Sequence, residues 1–512
     1  RGDYCYTVAL NTLISNTLGE TAVCWVSSTM DLLKFKSFLI HQVSANAFLS
    51  LSSESQKSIF EELITDPNYV LHAQVFEVIL LVSGTPLNSC IDGINTYIEK
   101  NIVNAPSKCK IPPFVKALAM KVYRHICDQF PSLGSVVILC DALFALPSPT
   151  VIHEIILALQ TVTSPDKEKR SSPEEFSALV RIVNNSLGID MHFIATEALN
   201  AIGNLDSSCV NARQIPLEDI LLRSFGSVRQ ACIYMVDKHP HLFKENIQPL
   251  CELFKASGEL KSCYIRSAAV ATLACMSRRG FADDIVNIVT NGYLNAANHP
   301  YYVIEAAIRI LSLVPPTAVT SEAKQQVYQN LHHRSHRVTV AVIDAIGFFG
   351  EEIILDDEKM KHFAACLSHD DSEIRSATQN SLERMKKRIT GDIHLTSGVE
   401  SLFVGFVTSE EYFKRLAAVH LLKFYGTPAM IKLHEVVCVL LVDPTACVKI
   451  EILQALREFI GNQTLYQLLS ATFIESMEQK ETRSNEDNQV LRETYRLLRC
   501  DETVARDVSK FA

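Results

Sequence analysis

The sequence predicts an all-α fold, a right-handed α-solenoid of about twelve stacked helix pairs. Three observations predict it. One pattern of apolar and small residues recurs at intervals of 35 to 45 residues through most of the 512-residue chain. Only 18 glycines and 18 prolines are present, about 7% of the chain where roughly 12% is ordinary, which argues against turn-rich β architectures. Finally, 48% hydrophobic and 21% charged residues supply a core and exclude a disordered chain.

The pattern begins with an apolar residue, often followed by Arg or Lys. Small or apolar residues follow four, seven and eight positions later, on one face of a helix. A weak copy starts at Val70. In order, the others are Val115-Lys116 with Ala119; Val151 with Ile155, Ala158 and Leu159; Met191 with Ala195, Ala198 and Leu199; Val228-Arg229; and Ile265-Arg266 with Ala269 and Leu273. Val303 with Ala307 and Leu311, Val338 with Ala345 and Ile346, Ile374-Arg375 with Leu382, and Phe413-Lys414 with Ala417 and Leu421 continue the series. It closes with Val448-Lys449, followed by Ala455 and Leu456, and with Val490, followed by Leu497 and Leu498.

A unit of about 38 residues holds two helices of roughly 12 to 15 residues plus turns, and neither pair buries its apolar face alone. Between these anchor helices lie second amphipathic segments, such as residues 247–254 and 360–367. Turn signals precede anchors at Ser148-Pro149-Thr150, at residues 368–372 and at Asp443-Pro444-Thr445. Gly203, Gly280, Gly350, Gly426 and Gly461 fall where a left-handed C-cap would end an anchor. The array is expected over 61–512, after an irregular cap or truncated repeats at 1–60. Polar loops are expected near 161–175 and 478–488, the first ending in a helix start with Ser172 as cap and Pro173, Glu174 and Glu175 in the first turn.

The segment Asp370-Asp371-Ser372-Glu373-Ile374-Arg375-Ser376-Ala377 resembles the second helix of a HEAT repeat, and Asp443-Pro444-Thr445-Ala446-Cys447-Val448-Lys449 is a second match. The resemblance, to HEAT/armadillo-type helical repeats, covers roughly residues 60 to 500. It implies a ladder of turn aspartates and helix cations between repeats, with Arg229, Arg266, Asp370, Arg375, Lys414, Asp443 and Lys449 as candidates. Most copies lack the aspartate, and the armadillo assignment stays open beside the HEAT one.

Signatures of chemistry are sparse. No Gly-x-Gly-x-x-Gly, phosphate-binding Gly-Lys-Ser/Thr loop or Gly-x-Ser-x-Gly elbow occurs, and no Cys-x-x-Cys pair suggests zinc. His332 and His336 have metal-ligand spacing but no acidic or thiol companion, and a basic inter-helix turn is the expected reading. No enzyme activity, cofactor, metal or small-molecule substrate is expected. Arg384-Met385-Lys386-Lys387-Arg388 reads as a basic helix C-terminus complementing the dipole. Ser164 and Ser172, each before proline in a polar loop, are phosphorylation candidates.

The net charge of -9 gives no bulk attraction to phosphate, so nucleic acid would be met only through local patches or partner subunits. Fifteen cysteines, several inside apolar helical patterns, suit buried thiols in a reducing compartment, nuclear or cytoplasmic. The longest apolar runs, residues 78–82 and 436–442, are shorter than the roughly 18 residues of a membrane span. The start at Arg1 rather than methionine suggests part of a longer protein. The expected function is a non-catalytic scaffold binding protein partners along a helical-repeat surface. Its expected setting is a nuclear chromosome-associated complex, including meiotic recombination or cohesion. A vesicle-coat or trafficking trunk and a nuclear transport receptor are the alternatives. The single tryptophan, Trp25, argues against import-adaptor armadillo proteins, whose grooves carry recurring tryptophans.

Overall fold

The structure is a computed structural model, and it describes residues 66–81, 90–105, 111–145, 147–163, 171–187, 191–256, 262–295, 297–389 and 393–457, with a few scattered positions besides. Among the described residues there are 22 α-helices and no strand. The chain divides into two compact units, Arg1–Arg279 and Gly280–Ala512.

Every anchor from Val70 to Val448 falls in a helix or, for Met191, at its N-cap. In the first unit the anchor helices are α1 (Tyr69–Leu80), α3 (Pro113–Gln129), α5 (Pro149–Val162), α7 (His192–Gly203), α9 (Gly226–Lys238) and α11 (Ser262–Met276). They alternate with α2 (Cys90–Ile98), α4 (Val136–Phe144), α6 (Pro173–Asn185), α8 (Leu217–Arg223) and α10 (Ile247–Glu252). In the second unit the anchors are α13 (Tyr301–Leu313), α15 (His336–Phe349), α17 (Ser372–Arg388), α19 (Tyr412–Tyr425) and α22 (Ala446–Arg457). Their companions are α12 (Ala282–Tyr293), α14 (Ser321–Gln329), α16 (Asp357–Ala365), α18 (Ser397–Val407), α20 (Thr427–Lys432) and α21 (His434–Leu441).

Within each unit anchors pack on anchors and companions on companions, as α3 does on α5, α15 on α17, α4 on α6 and α16 on α18. This is the two-layer stacking of a HEAT-type solenoid. The predicted small residues make the close approach: Ala119, Ala158, Ala195, Ala307, Ala345 and Ala455 are fully buried. Gly347 on α15 faces Ser381 on α17 so closely that a Cβ there would lie 2.7 to 3.0 Å from Ser381 Oγ, Cβ and Cα. Ser381 Oγ donates to the Ile343 carbonyl at 2.9 Å, tying the same crossing.

Local chemistry sets the helix starts. Pro113, Pro149 and Pro173 each occupy a first turn, where the missing N–H costs nothing. Ser172 Oγ accepts from the Glu175 amide at 3.2 Å, as a capping side chain should. The 247–254 segment is helical only as α10, with Pro249 in its first turn, followed by a 3-10 turn over Leu253–Lys255.

The glycine expectation needs correction. Among the described glycines, only Gly280 (φ 103) and Gly426 (φ 72) have left-handed backbone. Gly350 caps α15 with φ -87, and Gly203 lies inside α7, where a Cβ would meet Tyr234 and Met235 of α9. Gly203 is thus small for close packing, not for its conformational freedom. Val70 is also exposed at 40%, so the weakest copy turns its first position outward. Gly461, the 1–60 cap, the 478–488 loop and the Val490 copy fall outside the described residues. Of the first polar loop, α5 runs through Val162 and α6 begins at Pro173, and Ser164 between them lies outside the described residues.

Candidate functional site: the anchor-helix layer

Among the described cysteines, Cys127, Cys232, Cys275 and Cys438 are buried in the repeat core. Burial pushes the Cys232 and Cys438 thiols up to about 12, which leaves them as small apolar packing groups rather than nucleophiles. Among the described residues, no group of three or more His, Cys, Asp or Glu could hold a metal ion.

The cations after the anchor positions share one local task. Arg375, fourth residue of α17, donates from Nη1 to the His369 and Asp370 carbonyls, each at 2.7 Å. Arg415, fourth residue of α19, donates from Nη1 to the Ser409 and Glu410 carbonyls, each at 2.8 Å. Thr339, fourth in α15, reaches the His333 carbonyl at 3.2 Å. Arg229 donates from Nε to the Leu221 carbonyl at 2.8 Å, and Arg266 from Nη1 to the Ala256 carbonyl at 2.5 Å. In each case a side chain near the start of an anchor reaches back over the turn to carbonyls in the last turn of the companion helix or beyond its end. The anchor's first turn caps the preceding helix.

One rung joins neighbouring repeats through an acidic side chain. Asp443, in the turn before α22, accepts from Arg415 Nε at 2.6 Å (Oδ2) and Arg415 Nη2 at 3.1 Å (Oδ1), while Oδ1 also accepts from the Thr445 amide at 2.8 Å. Arg415 Nη2 further donates to Thr445 Oγ1 at 2.9 Å. Both partners are buried, Arg415 at 8% and Asp443 at 4% exposure. Arg415 is the member that sequence reasoning missed. Lys414, the candidate beside it, pairs at 2.5 Å with Glu411 in its own helix start. The signal for Arg415 was its distance from the turn: it stands five residues after Glu410, as Arg375 stands five after Asp370. Asp370 offers Arg375 its carbonyl, and the guanidinium also lies 4.7 Å over the Phe413 ring of the next repeat. Lys449, fourth in α22, is buried at the equivalent position.

Among the described residues, a cleft opens between consecutive anchor helices in each unit. The first, of about 740 Å³, lies between α3 and α5 and is lined by Lys121, Arg124 and His125 among others. Lys121 Nζ and Arg124 Nη1 approach the buried Glu154 carboxylate at 3.5 and 3.4 Å. The second, of about 510 Å³, lies between α17 and α19. Here long side chains, Gln379 and Lys386 on α17 and Lys423 on α19, line the crossing. Lys423 Nζ sits 3.0 Å from Glu451 of α22. Burial holds His420 below the ordinary imidazole range, with Glu451 opposing the shift.

A further regularity escaped the sequence reading. Tyr69, Phe114, Phe193, Phe225 and Tyr264 stand at or beside the first turns of anchor helices, and all are exposed, from 40% to 65%. His153 and Phe193, and His192 and Phe225, place ring centroids 6.2 and 5.2 Å apart across successive repeats.

No protein-family model and no curated protein matches the sequence. Among solved structures, the chain is similar to a Kap121p mutant, with 10% identity over 95% of this chain and 68% of that one and a TM-score of 0.45. It is also similar to importin beta in a polyethylene glycol condition, with 16% identity over 94% of this chain and 66% of that one and a TM-score of 0.47. The chain spans about two thirds of the length of either.

Proposed function

We propose that the chain is a non-catalytic scaffold whose anchor-helix layer binds protein partners. The observation that carries this reading is the placement of a cleft between consecutive anchors in each unit, at α3–α5 and α17–α19. Companion helices fill the other layer, so the anchors' solvent-facing sides form a continuous wall within each unit where side chains of a partner can enter. No described helix is long and apolar enough to cross a membrane.

Cross-linking of the chain to its cellular partners, read by mass spectrometry, tests the wall: links are expected to concentrate on exposed anchor residues such as Lys121 and Lys387. A spread of links over both layers alike overturns it. Turnover by the purified chain on a cofactor and substrate panel would overturn the non-catalytic part. The proposed setting is a nuclear, chromosome-associated complex; the single tryptophan weighs against an import adaptor and the modest net charge of -9 against a large import receptor. Proximity labelling decides it. Chromatin neighbours support this setting, coat neighbours indicate a trafficking trunk, and pore and cargo neighbours indicate a transport receptor. Ser172 is the proposed modification position: a phosphate there would face Glu174 and Glu175 at the start of α6.

A further inference from the structure

The α17–α19 cleft joins an apolar floor to a basic rim. Its floor is apolar, made by Leu382 and Phe424, which are 2% and 3% exposed. Its rim carries the ammonium groups of Lys386, Lys387 and Lys423 and the carboxylate of Glu383, with Lys423 paired to Glu451 at 3.0 Å. Lys387 is exposed on the last turn of α17, between Lys386 and Arg388. Arg388 donates to the Gly347 and Phe348 carbonyls at the end of α15, and Lys386 to the Lys423 carbonyl, so the basic helix end is braced against both neighbouring anchors. Arg384 is likewise committed, to Asp344 at 2.6 Å and over the Phe348 ring at 4.8 Å. The carboxylates of the neighbourhood, Asp344, Glu351 and Glu451, are engaged by Arg384, Arg388 and Lys423 respectively.

From this we infer that the cleft is a docking site for an acidic peptide segment of a protein partner, with one apolar side chain of that segment seated on Leu382 and Phe424. The occupant follows from charge complementarity. A chain of net charge -9 gathers cations at one braced helix end, beside an apolar floor too small for a folded surface and large enough for a leucine or phenylalanine side chain with its flanking carboxylates. A phosphate or nucleic-acid ligand would have no use for the floor.

The assignment rests on the scaffold reading, and the test separates the two. The probe is a fluorescein-labelled peptide of about twelve aspartates and glutamates interrupted by one leucine and one phenylalanine, titrated with the full chain by fluorescence polarisation. Expected results are saturable binding that weakens as salt rises, a loss of about tenfold in affinity for Lys387→Glu, and no change for Lys255→Glu in the other unit. Replacing the peptide's leucine and phenylalanine by serine should weaken binding by a similar factor. Because Lys387 is exposed, its substitution leaves the core intact, and circular dichroism confirms it. The proposal is overturned if the peptide does not bind, if Lys387→Glu leaves its affinity unchanged, if the serine peptide binds as well, or if inorganic phosphate or a single-stranded oligonucleotide competes as strongly as unlabelled peptide. Any of these results with cross-links still concentrated on the anchor wall removes the cleft assignment and leaves the scaffold; a wall without cross-links removes the scaffold as well.

Discussion

Removing Asp443 should loosen the end of the second unit far more than an ordinary surface ion pair would. The Asp443→Ala substitution strips Arg415 of two charge-assisted hydrogen bonds and α22 of the carboxylate that accepts from the Thr445 amide. The guanidinium keeps its bonds to the Ser409 and Glu410 carbonyls and to Thr445, but its charge stays buried without a counter-charge in the rung. Breaking a buried pair in this way costs about 3–5 kcal/mol, against under about 1 kcal/mol for an exposed one. Asp443→Asn, which retains an acceptor for Thr445, should cost less, about 1.5–3 kcal/mol. The double variant Arg415→Met, Asp443→Leu removes the stranded charge and should recover much of the loss. Native-state hydrogen exchange suits a repeat array, where one global unfolding energy is poorly defined. Amides of α19 and α22 in Asp443→Ala should lose protection by roughly a hundred- to several-thousand-fold, at tenfold per 1.4 kcal/mol. A loss below about tenfold, or a double variant as damaged as the summed singles, would refute the reasoning.

Three other outcomes are expected. Gly347→Val puts side-chain carbon against Ser381, including its Cα, and should destabilise the α15–α17 crossing by about 1–3 kcal/mol, seen as a lower thermal midpoint; an unchanged midpoint counts against the close-packing account. Burial pushes the Glu175 carboxyl up to about 7, partly opposed by hydrogen bonds from Thr163 and the Ser172 cap. Since the folded chain holds that proton more tightly, the stabilisation is complete below about pH 4.5 and is lost as pH rises through about 7. Relative to Glu175→Gln, the wild type should therefore lose roughly 2–3 kcal/mol between those values, and parallel stability curves would contradict this. Under native conditions at pH 8 a thiol reagent should modify the exposed Cys447 readily and Cys232, Cys251 and Cys438 only as the chain opens; equal rates would contradict the burial-raised thiols.

The architecture was legible because a helix face needs apolar residues at fixed offsets, and a stacked helix needs small ones where its neighbour comes close. Positions such as Val151, Ala158 and Leu159 carry both demands in sequence and are fully buried. The rung at Arg415 was not legible in the same way. Phe413-Lys414 satisfies the apolar-basic pattern as well as any other copy, and only the distance from the preceding turn selects the next residue. Nor could spacing reveal whether a glycine serves conformation or contact: Gly426 needs its positive φ, whereas Gly203 needs only to be small beside Tyr234. The α17–α19 cleft is formed by two helices together, and its residues on α17 look in sequence like an ordinary basic helix end.

The back-reaching side chains of Arg229, Arg375, Arg415 and Thr339 address main-chain oxygens, which every residue type supplies alike. The carbonyls they grip belong to Leu221 in the last turn of α8, His369-Asp370, Ser409-Glu410 and His333, and no one side chain is common to all of them. A joint secured on the backbone places no demand on the amino acids of the turn it secures, so those turns are free to drift, lengthen or take on recognition duties while the stacking is conserved. That is a physical route by which a repeat protein keeps its architecture after its sequence has lost every outward sign of kinship.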